Sequence, residues 1–288
     1  MRGRGFGRAP PGKKLEGAPP PKVPWPQIIQ ALSDLYHQGD WRVPYLQLHA
    51  RDPFQVLIGT ILSQRTRDET TEEAAARLFA KYPDAPAMAS APLEDLRGLI
   101  KPVGFYPTKA QAIRKVAREI VRRFGGKTPR SFEDLLSLPM VGRKTANCVL
   151  VFGYREAAIP VDTHVHRLAN RLGAVRTRTP EETEEALRAQ VPPELWIPLN
   201  PLLVQHGQNL CRPQRPRCDL CPLRPWCEWG RSIEHPAKSG PRTRPLLSTR
   251  GDASGVPPDN GRRGRGRKGM LLTPSGVGTP PRLRGHRR

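Results

Sequence analysis

Lys144 and Asp162 are the two residues of this chain whose types and spacing could do chemistry together. Lys144 lies in Leu138-Pro139-Met140-Val141-Gly142-Arg143-Lys144-Thr145-Ala146, and Asp162 follows eighteen positions later in Val161-Asp162-Thr163-His164. Pro139, with its fixed φ, and Gly142, free to take a positive φ, bracket a turn. Beyond it Ala146, Val149 and Leu150 recur at i, i+3, i+4, the spacing of one buried helix face. The hairpin therefore leads into a helix N-terminus. Unpaired N–H groups and the helix dipole favour an anion there, such as a nucleic acid phosphate. Lys144 sits in the first turn of that helix. The dipole's positive end and a cleft poor in water both disfavour an ammonium, so its pKa is expected to fall. A partly neutral lysine is a nucleophile toward an aldehyde-like sugar carbon.

The chain is long enough to bring Asp162 back to this lysine. A helix over 143–152 runs about 15 Å, and the connection 153–161 spans up to about 30 Å when extended. Asp162 would then open the next helix, whose buried face is Val165, Leu168, Ala169 and Leu172. Aspartate at that place is also an ordinary N-cap. Spacing alone therefore supports a cap and a surface lysine as well as it supports a catalytic pair.

A second cluster is formed by Cys211, Cys218, Cys221 and Cys227, four of the five cysteines. Their pattern is C-x6-C-x2-C-x5-C. A structural zinc favours two close pairs, and only one close pair exists here, so an iron–sulfur cube held by four thiolates fits better. An odd, clustered set argues against a secreted disulfide framework. Cys148 stands apart and reads as a buried small residue. Two other patterns carry nothing. Gly142-Arg143-Lys144-Thr145 lacks the glycine spacing of a phosphate-binding loop, and His164 and His166 point to nearly opposite sides of a helix.

The elements that must position these groups read as helices. Phe54, Leu57, Ile58, Ile61 and Leu62 mark a core helix that ends in the polar turn Ser63–Asp68, and 69–80 and 92–100 follow as two more. A helix over 108–124 buries Ile113, Val116, Ile120 and Phe124. Ser131 with Asp134 starts a short helix, and Thr179-Pro180-Glu181-Glu182 is a strong start signal. Leu195, Leu199 and Leu202 mark a last large helix running toward His206-Gly207.

The 288 residues carry a net charge of +22 and a pI near 10.8, which calls for a polyanionic partner. The charge is uneven. Residues 1–24 hold six Lys/Arg against one acid, and residues 236–288 hold thirteen against two. Both segments are rich in Pro and Gly and are expected to be disordered basic tails. The foldable domain is then 25–235, with the cysteine loop at 211–227. No apolar run is long enough to span a membrane, and no signal peptide is visible.

Taken together, these motifs resemble the helix-hairpin-helix, Gly/Pro-rich–Asp signature of the endonuclease III family of DNA glycosylases. Gly104-Phe105-Tyr106 with Lys109-Ala110, Leu62-Ser63-Gln64 with Asp68, and the cysteine spacing are similar to family segments, and the likeness covers about 25–230. It implies an all-α fold of two helical lobes with a cleft between them, a helix-hairpin-helix motif and a C-terminal iron–sulfur (4Fe-4S) cluster loop. It implies Lys144 and Asp162 as catalytic residues and the four cysteines as cluster ligands. Gln64, Arg65, Phe105, Pro139, Met140, Gly142, Arg143 and Thr145 would contact DNA. Within that set Arg65 would fill the gap left by an extruded nucleotide and Phe105 would wedge the base stack. Met140 departs from the glycine common at its place. The implied activity is base excision repair: removal of oxidised pyrimidines from duplex DNA, then cleavage of the abasic site by β-elimination through a lysine Schiff base. A monomer is expected, cytoplasmic and nucleoid-associated if the source is bacterial. A different base specificity (mismatched thymine or adenine) and a non-catalytic DNA-binding module stay open as alternatives.

Overall fold

The computed structural model describes residues 23–48 and 52–233. The tails expected at 1–24 and 236–288 therefore lie outside the described residues, apart from Val23 and Pro24. The described residues are helical throughout, as expected, with no strand among them. In order they form α1 (Trp25–His37), α2 (Tyr45–Leu48), α3 (Pro53–Ser63), α4 (Asp68–Lys81), α5 (Ala85–Ser90), α6 (Leu93–Leu99), α7 (Tyr106–Phe124), α8 (Phe132–Leu136) and α9 (Arg143–Cys148). After a π-helical segment (Val149–Tyr154) come α10 (Thr163–Leu172), α11 (Pro180–Arg188), α12 (Trp196–Asn209) and α13 (Glu228–Ser232). None is long and apolar enough to cross a membrane.

Two separate cores define two lobes. The first is built on Leu57, Ile58, Ile61, Ile113, Ile120 and Val149, and its members run without interruption of order from Tyr45 to Ala158. The second joins Ile28 and Leu32 of α1 to Val165, Leu168, Leu199 and Leu203 of α10 and α12. The helix faces read from periodicity are the faces that are buried.

Local chemistry sets the starts of these helices. Asp52 caps α3 by accepting from the Gln55 N–H at 2.9 Å, with Pro53 behind it at the first helical position. Ser131 caps α8 through the Asp134 N–H, and Thr179 caps α11 through the Glu182 N–H. Glu182 completes a variant of the capping box, reaching back to the Arg178 N–H rather than to Thr179. One expectation needs correction. The helix after the hairpin does not run regularly over 143–152 but widens to π geometry from Val149. Gly153 in that segment packs directly on Pro53, where a Cβ would lie 2.8 Å from the Pro53 Cα.

One ion pair ties the hairpin side to α11. The Arg143 Nε and Nη2 donate to the two carboxylate oxygens of Glu184 at 3.1 and 2.8 Å. The Glu184 side chain is 3% exposed and that of Arg143 is 39% exposed. Removing the arginine would leave a carboxylate buried without a counter-ion. We expect Arg143→Ala to lower the unfolding free energy by about 2 kcal/mol, below the value for a fully enclosed pair because the arginine is partly solvated. Urea unfolding followed by helical circular dichroism checks this, and an unchanged midpoint would contradict it.

Candidate active site

The hairpin is a four-residue turn in which the Val141 N–H donates to the Leu138 carbonyl at 3.3 Å. Proline at the second position and a left-handed residue at the third are the marks of a type II turn. The left-handed residue is Met140, with φ +63. This corrects the expectation that Gly142 supplies the positive φ: Gly142 has φ −97 and ψ 177 and serves as the N-cap of α9. A side chain in the left-handed region costs about 1–2 kcal/mol, and that of Met140 projects outward, 53% exposed. Beyond the turn the first N–H of α9 to find a helical partner is that of Ala146, bonded to the Gly142 carbonyl. The N–H groups of Arg143, Lys144 and Thr145 precede it and have no carbonyl one turn back.

Lys144 and Asp162, apart in sequence, line one cavity of about 1110 Å³ together with His164. Gln64, Arg65 and Asp68 from the α3–α4 turn form one wall, and Asn200 and Gln208 of α12 contribute to another. Asp162 is the N-cap of α10. Its Oδ1 accepts both the His164 and the Val165 N–H at 2.9 Å, so Oδ2 takes no part in the cap. The preceding segment is pinned from two sides. The Asn147 side chain donates to the Ile159 carbonyl at 3.3 Å, and that of Asn200 to the Pro160 carbonyl at 2.7 Å.

The charge state of Lys144 departs from expectation. Burial works against its ammonium, but the negative charges of Cys148, Asp162 and Asp68 outweigh it and hold the amine above the ordinary lysine value. Burial pushes the Cys148 thiol up as well, while the neighbouring lysine works against that rise. For His164 the balance goes the other way, since burial outweighs Asp162 and its pKa falls.

The other expected DNA contacts divide into two groups. Gln64, Arg65, Phe105, Met140 and Gly142 are exposed, and Pro139 is half-buried. Thr145 is buried, and Arg143 is held by Glu184 with its guanidinium 5.0 Å from the Phe132 ring. The Thr145 side chain is thus withdrawn from the surface, and the partly exposed Arg143 guanidinium is committed to Glu184. Several residues that position the site gave no signal in local spacing, although Lys109 stands in one of the segments that resemble the family. Besides Asn147 and Asn200 they include Lys109, buried beside the Gln64 turn, whose ammonium burial pushes down to about 8. Arg167 is another, donating to the His164 Nδ1 at 3.0 Å and to the Cys211 carbonyl at 2.9 Å. Such residues could be found only from the partners that the fold brings to them.

The four clustered cysteines are unpaired by disulfides. Burial first and neighbouring sulfurs next push up Cys218, Cys221 and Cys227, Cys221 to about 12. Donors aim at the sulfurs: Arg171 Nη1 lies 3.3 Å from Cys211, His206 Nε2 3.2 Å from Cys221, and the Gly230 N–H 3.3 Å from Cys227. Among the described residues no three His, Cys, Asp or Glu side chains converge on a single metal ion. The donors at Cys211, Cys221 and Cys227 would support thiolates at these three positions.

Comparison with known proteins places this arrangement. Residues 58–193 match the HhH-GPD superfamily of base excision DNA repair proteins. Endonuclease III of Thermotoga maritima is 53% identical over 180 residues, covering 62% of this chain and 84% of the relative. The chain belongs to the endonuclease III family. A solved structure of a trapped endonuclease III–DNA covalent intermediate superposes with a TM-score of 0.64 at 32% identity, covering 72% of this chain and 97% of that one. A thermostable thymine-DNA glycosylase shares the fold, with a TM-score of 0.65 at 23% identity, covering 73% of this chain and 97% of that one. This member of the endonuclease III family is thus a base excision repair DNA glycosylase and lyase.

The support beneath Asp162 can be tested without chemistry. Asn200→Ala leaves the buried Pro160 carbonyl without its donor, and should lower the unfolding free energy by about 1–2 kcal/mol. Thermal and urea unfolding would reveal it, and a wild-type curve would show that the bond contributes nothing.

Proposed function

We propose that the protein removes oxidised pyrimidines from duplex DNA and then cleaves the abasic strand, with Lys144 as nucleophile and Asp162 as its carboxylate partner. The observation that carries this reading is their placement on one cavity beside the exposed hairpin. A damaged nucleotide turned out of the stack enters this cavity. The N–H groups at the start of α9, which have no carbonyl one turn back, receive a backbone phosphate.

Lys144 must lose a proton before it can attack. Asp162, whose charge the amine already feels, takes that proton and passes it to the departing base. It also stabilises the positive charge that develops on the sugar. The lysine nitrogen bonds to the anomeric carbon as the glycosidic bond breaks. The C1′–O4′ bond of the sugar ring then breaks, O4′ takes up a proton as the ring opens, and C1′ and the lysine nitrogen form the iminium. This acidifies the adjacent C2′ proton, and its removal expels the 3′ phosphate by β-elimination.

Cys211, Cys218, Cys221 and Cys227 would hold a 4Fe-4S cluster, which when bound serves as a rigid brace for its loop. The exposed Arg212, Arg215 and Arg217 on that loop would meet DNA phosphates. The protein would act as a monomer on duplexes with a damaged base or an abasic site, in the cytoplasm if its source is bacterial. Arg65, Phe105 and Met140 also favour a second reading, a shifted base specificity, because all three are exposed, left-handed residues at positions expected to meet DNA.

Borohydride trapping on duplexes with thymine glycol or an abasic site tests the first reading. Wild-type protein should form a covalent adduct on both, and Lys144→Gln on neither; full trapping by that variant would remove the lysine from its role. Asp162→Asn should slow base removal by roughly 10²–10⁴-fold while still trapping on a preformed abasic site. A separate expectation concerns the hairpin. Met140→Gly should leave stability within about 1 kcal/mol, because relief of the left-handed backbone is offset by the greater freedom of unfolded glycine. It should tighten binding to an abasic-site duplex, and anisotropy titrations showing equal or weaker binding would refute the idea that this side chain holds DNA away.

A further inference from the structure

Arg65 and Phe105 come from different parts of the chain yet meet on the surface. Arg65 belongs to the turn after α3, and Phe105 is the residue before α7. Both have left-handed backbones, φ +52 and +58. The guanidinium carbon lies 5.8 Å from the Phe105 ring centroid, and Phe105 is 63% exposed. The turns beneath them touch backbone to backbone, since a Cβ on Gly104 would lie 3.0 Å from the Arg65 carbonyl oxygen.

One residue holds both turns. Lys109 is only 4% exposed. Its amine donates to the Leu62 carbonyl at 2.7 Å, the Gln64 carbonyl at 2.5 Å and the Thr66 Oγ1 at 3.1 Å. An ammonium has three donors, and here all three are used on the turn that carries Arg65. Its own backbone N–H donates to the Phe105 carbonyl at 3.0 Å. The only backbone-to-backbone bond closing the Arg65 turn is from the Thr66 N–H to the Ser63 carbonyl at 3.1 Å.

We propose that Lys109 is a positioning residue that locks the Arg65 turn against Phe105, so that the two side chains enter the duplex as one preformed wedge and read the base left opposite the extruded nucleotide. The proposal rests on the reading that this face meets DNA. The lock has a definite consequence. A pre-ordered arginine loses little freedom on binding, so its fixed fork of donors can distinguish opposite bases by their acceptors. A free turn would let the arginine adapt to any of them. The discrimination would then shrink even where overall affinity survives.

The test measures binding and uses no turnover, so it does not depend on Lys144 chemistry. Duplexes carrying a tetrahydrofuran abasic analogue opposite each of the four bases are titrated with full-length wild-type protein and with Lys109→Met. The wild-type dissociation constants should spread with the opposite base. In the variant that spread should narrow at least threefold, while binding to single-stranded tetrahydrofuran DNA stays within twofold. Absence of a spread in the wild type, an equal spread in the variant, or uniform weakening on all four duplexes would overturn the proposal. Should Lys109→Met not fold, Thr66→Val removes the third acceptor of the amine together with the hydroxyl's own bond to the Gln64 carbonyl at 3.3 Å, and is held to the same outcomes. Failure of the repair reading itself would appear separately, as loss of the wild-type borohydride adduct.

Discussion

The cavity depends on how one carboxylate divides its two oxygens. In Asp162 a single oxygen accepts both free N–H groups at the start of α10. The other is left to the cavity that Lys144 shares. A helix cap and a reactive carboxylate would ordinarily compete for the same atoms. Here they do not, and the cap fixes the direction in which the remaining oxygen points. The support extends outward from there. Asn147 belongs to α9 and Asn200 to α12, so the segment ahead of Asp162 is held by both lobes at once. Ala158 still belongs to the first core and Ile159 already to the second. The carboxylate thus sits just past the seam, and any relative shift of the lobes would reach it directly.

The same fold carries visible strain on its outer face. Arg65, Phe105 and Met140 are side-chain-bearing residues in the left-handed region, each at a cost of about 1–2 kcal/mol. All three are exposed. Strain of this kind persists where the surroundings over-determine it, and it gathers at functional surfaces. The determinants are identifiable: the buried amine of Lys109 under the first, the backbone N–H of the same residue on the carbonyl of the second, and the turn after Pro139 that leads into the Arg143–Glu184 pair behind the third. Interior hydrogen bonds and charge pairs therefore stabilise an exterior that would relax without them.

Much of this was readable from residue types. The faces of α3, α7 and α10 follow from apolar spacing, because a 3.6-residue period leaves few other ways to bury Leu57, Ile61, Ile113 or Leu168. Ser131 and Thr179 announce their helices because a hydroxyl there has a free N–H to accept. Local pattern could not show contacts made at long range. Lys109 looks like any exposed lysine on an amphipathic helix until the α3–α4 turn is laid over it. Asn147 and Asn200 have partners on other elements. The helix dipole and burial both point to a lowered pKa for Lys144, and the neighbouring Cys148, Asp162 and Asp68 reverse that direction. Gly142 seemed the natural place for a positive φ, but turn geometry assigns it to the residue two after Leu138, whatever its side chain. Helix α5, Ala85–Ser90, is too short and too rich in alanine to show a period.

The composition of the second lobe also governs the order in which the chain can become a protein. Its core takes α1 from one side of the first lobe and α10, α12 and the cysteine loop from the other. Tyr36 reaches His206 across 170 positions to close it. During synthesis the apolar face of α1 emerges first and has no partner until the whole first lobe has been made. The first lobe, whose core runs without break from Tyr45 to Ala158, can assemble in passing. Completion of the lobe that holds the cysteines therefore waits until the chain through Cys227 has been made, and the cavity lined from both lobes exists only after that.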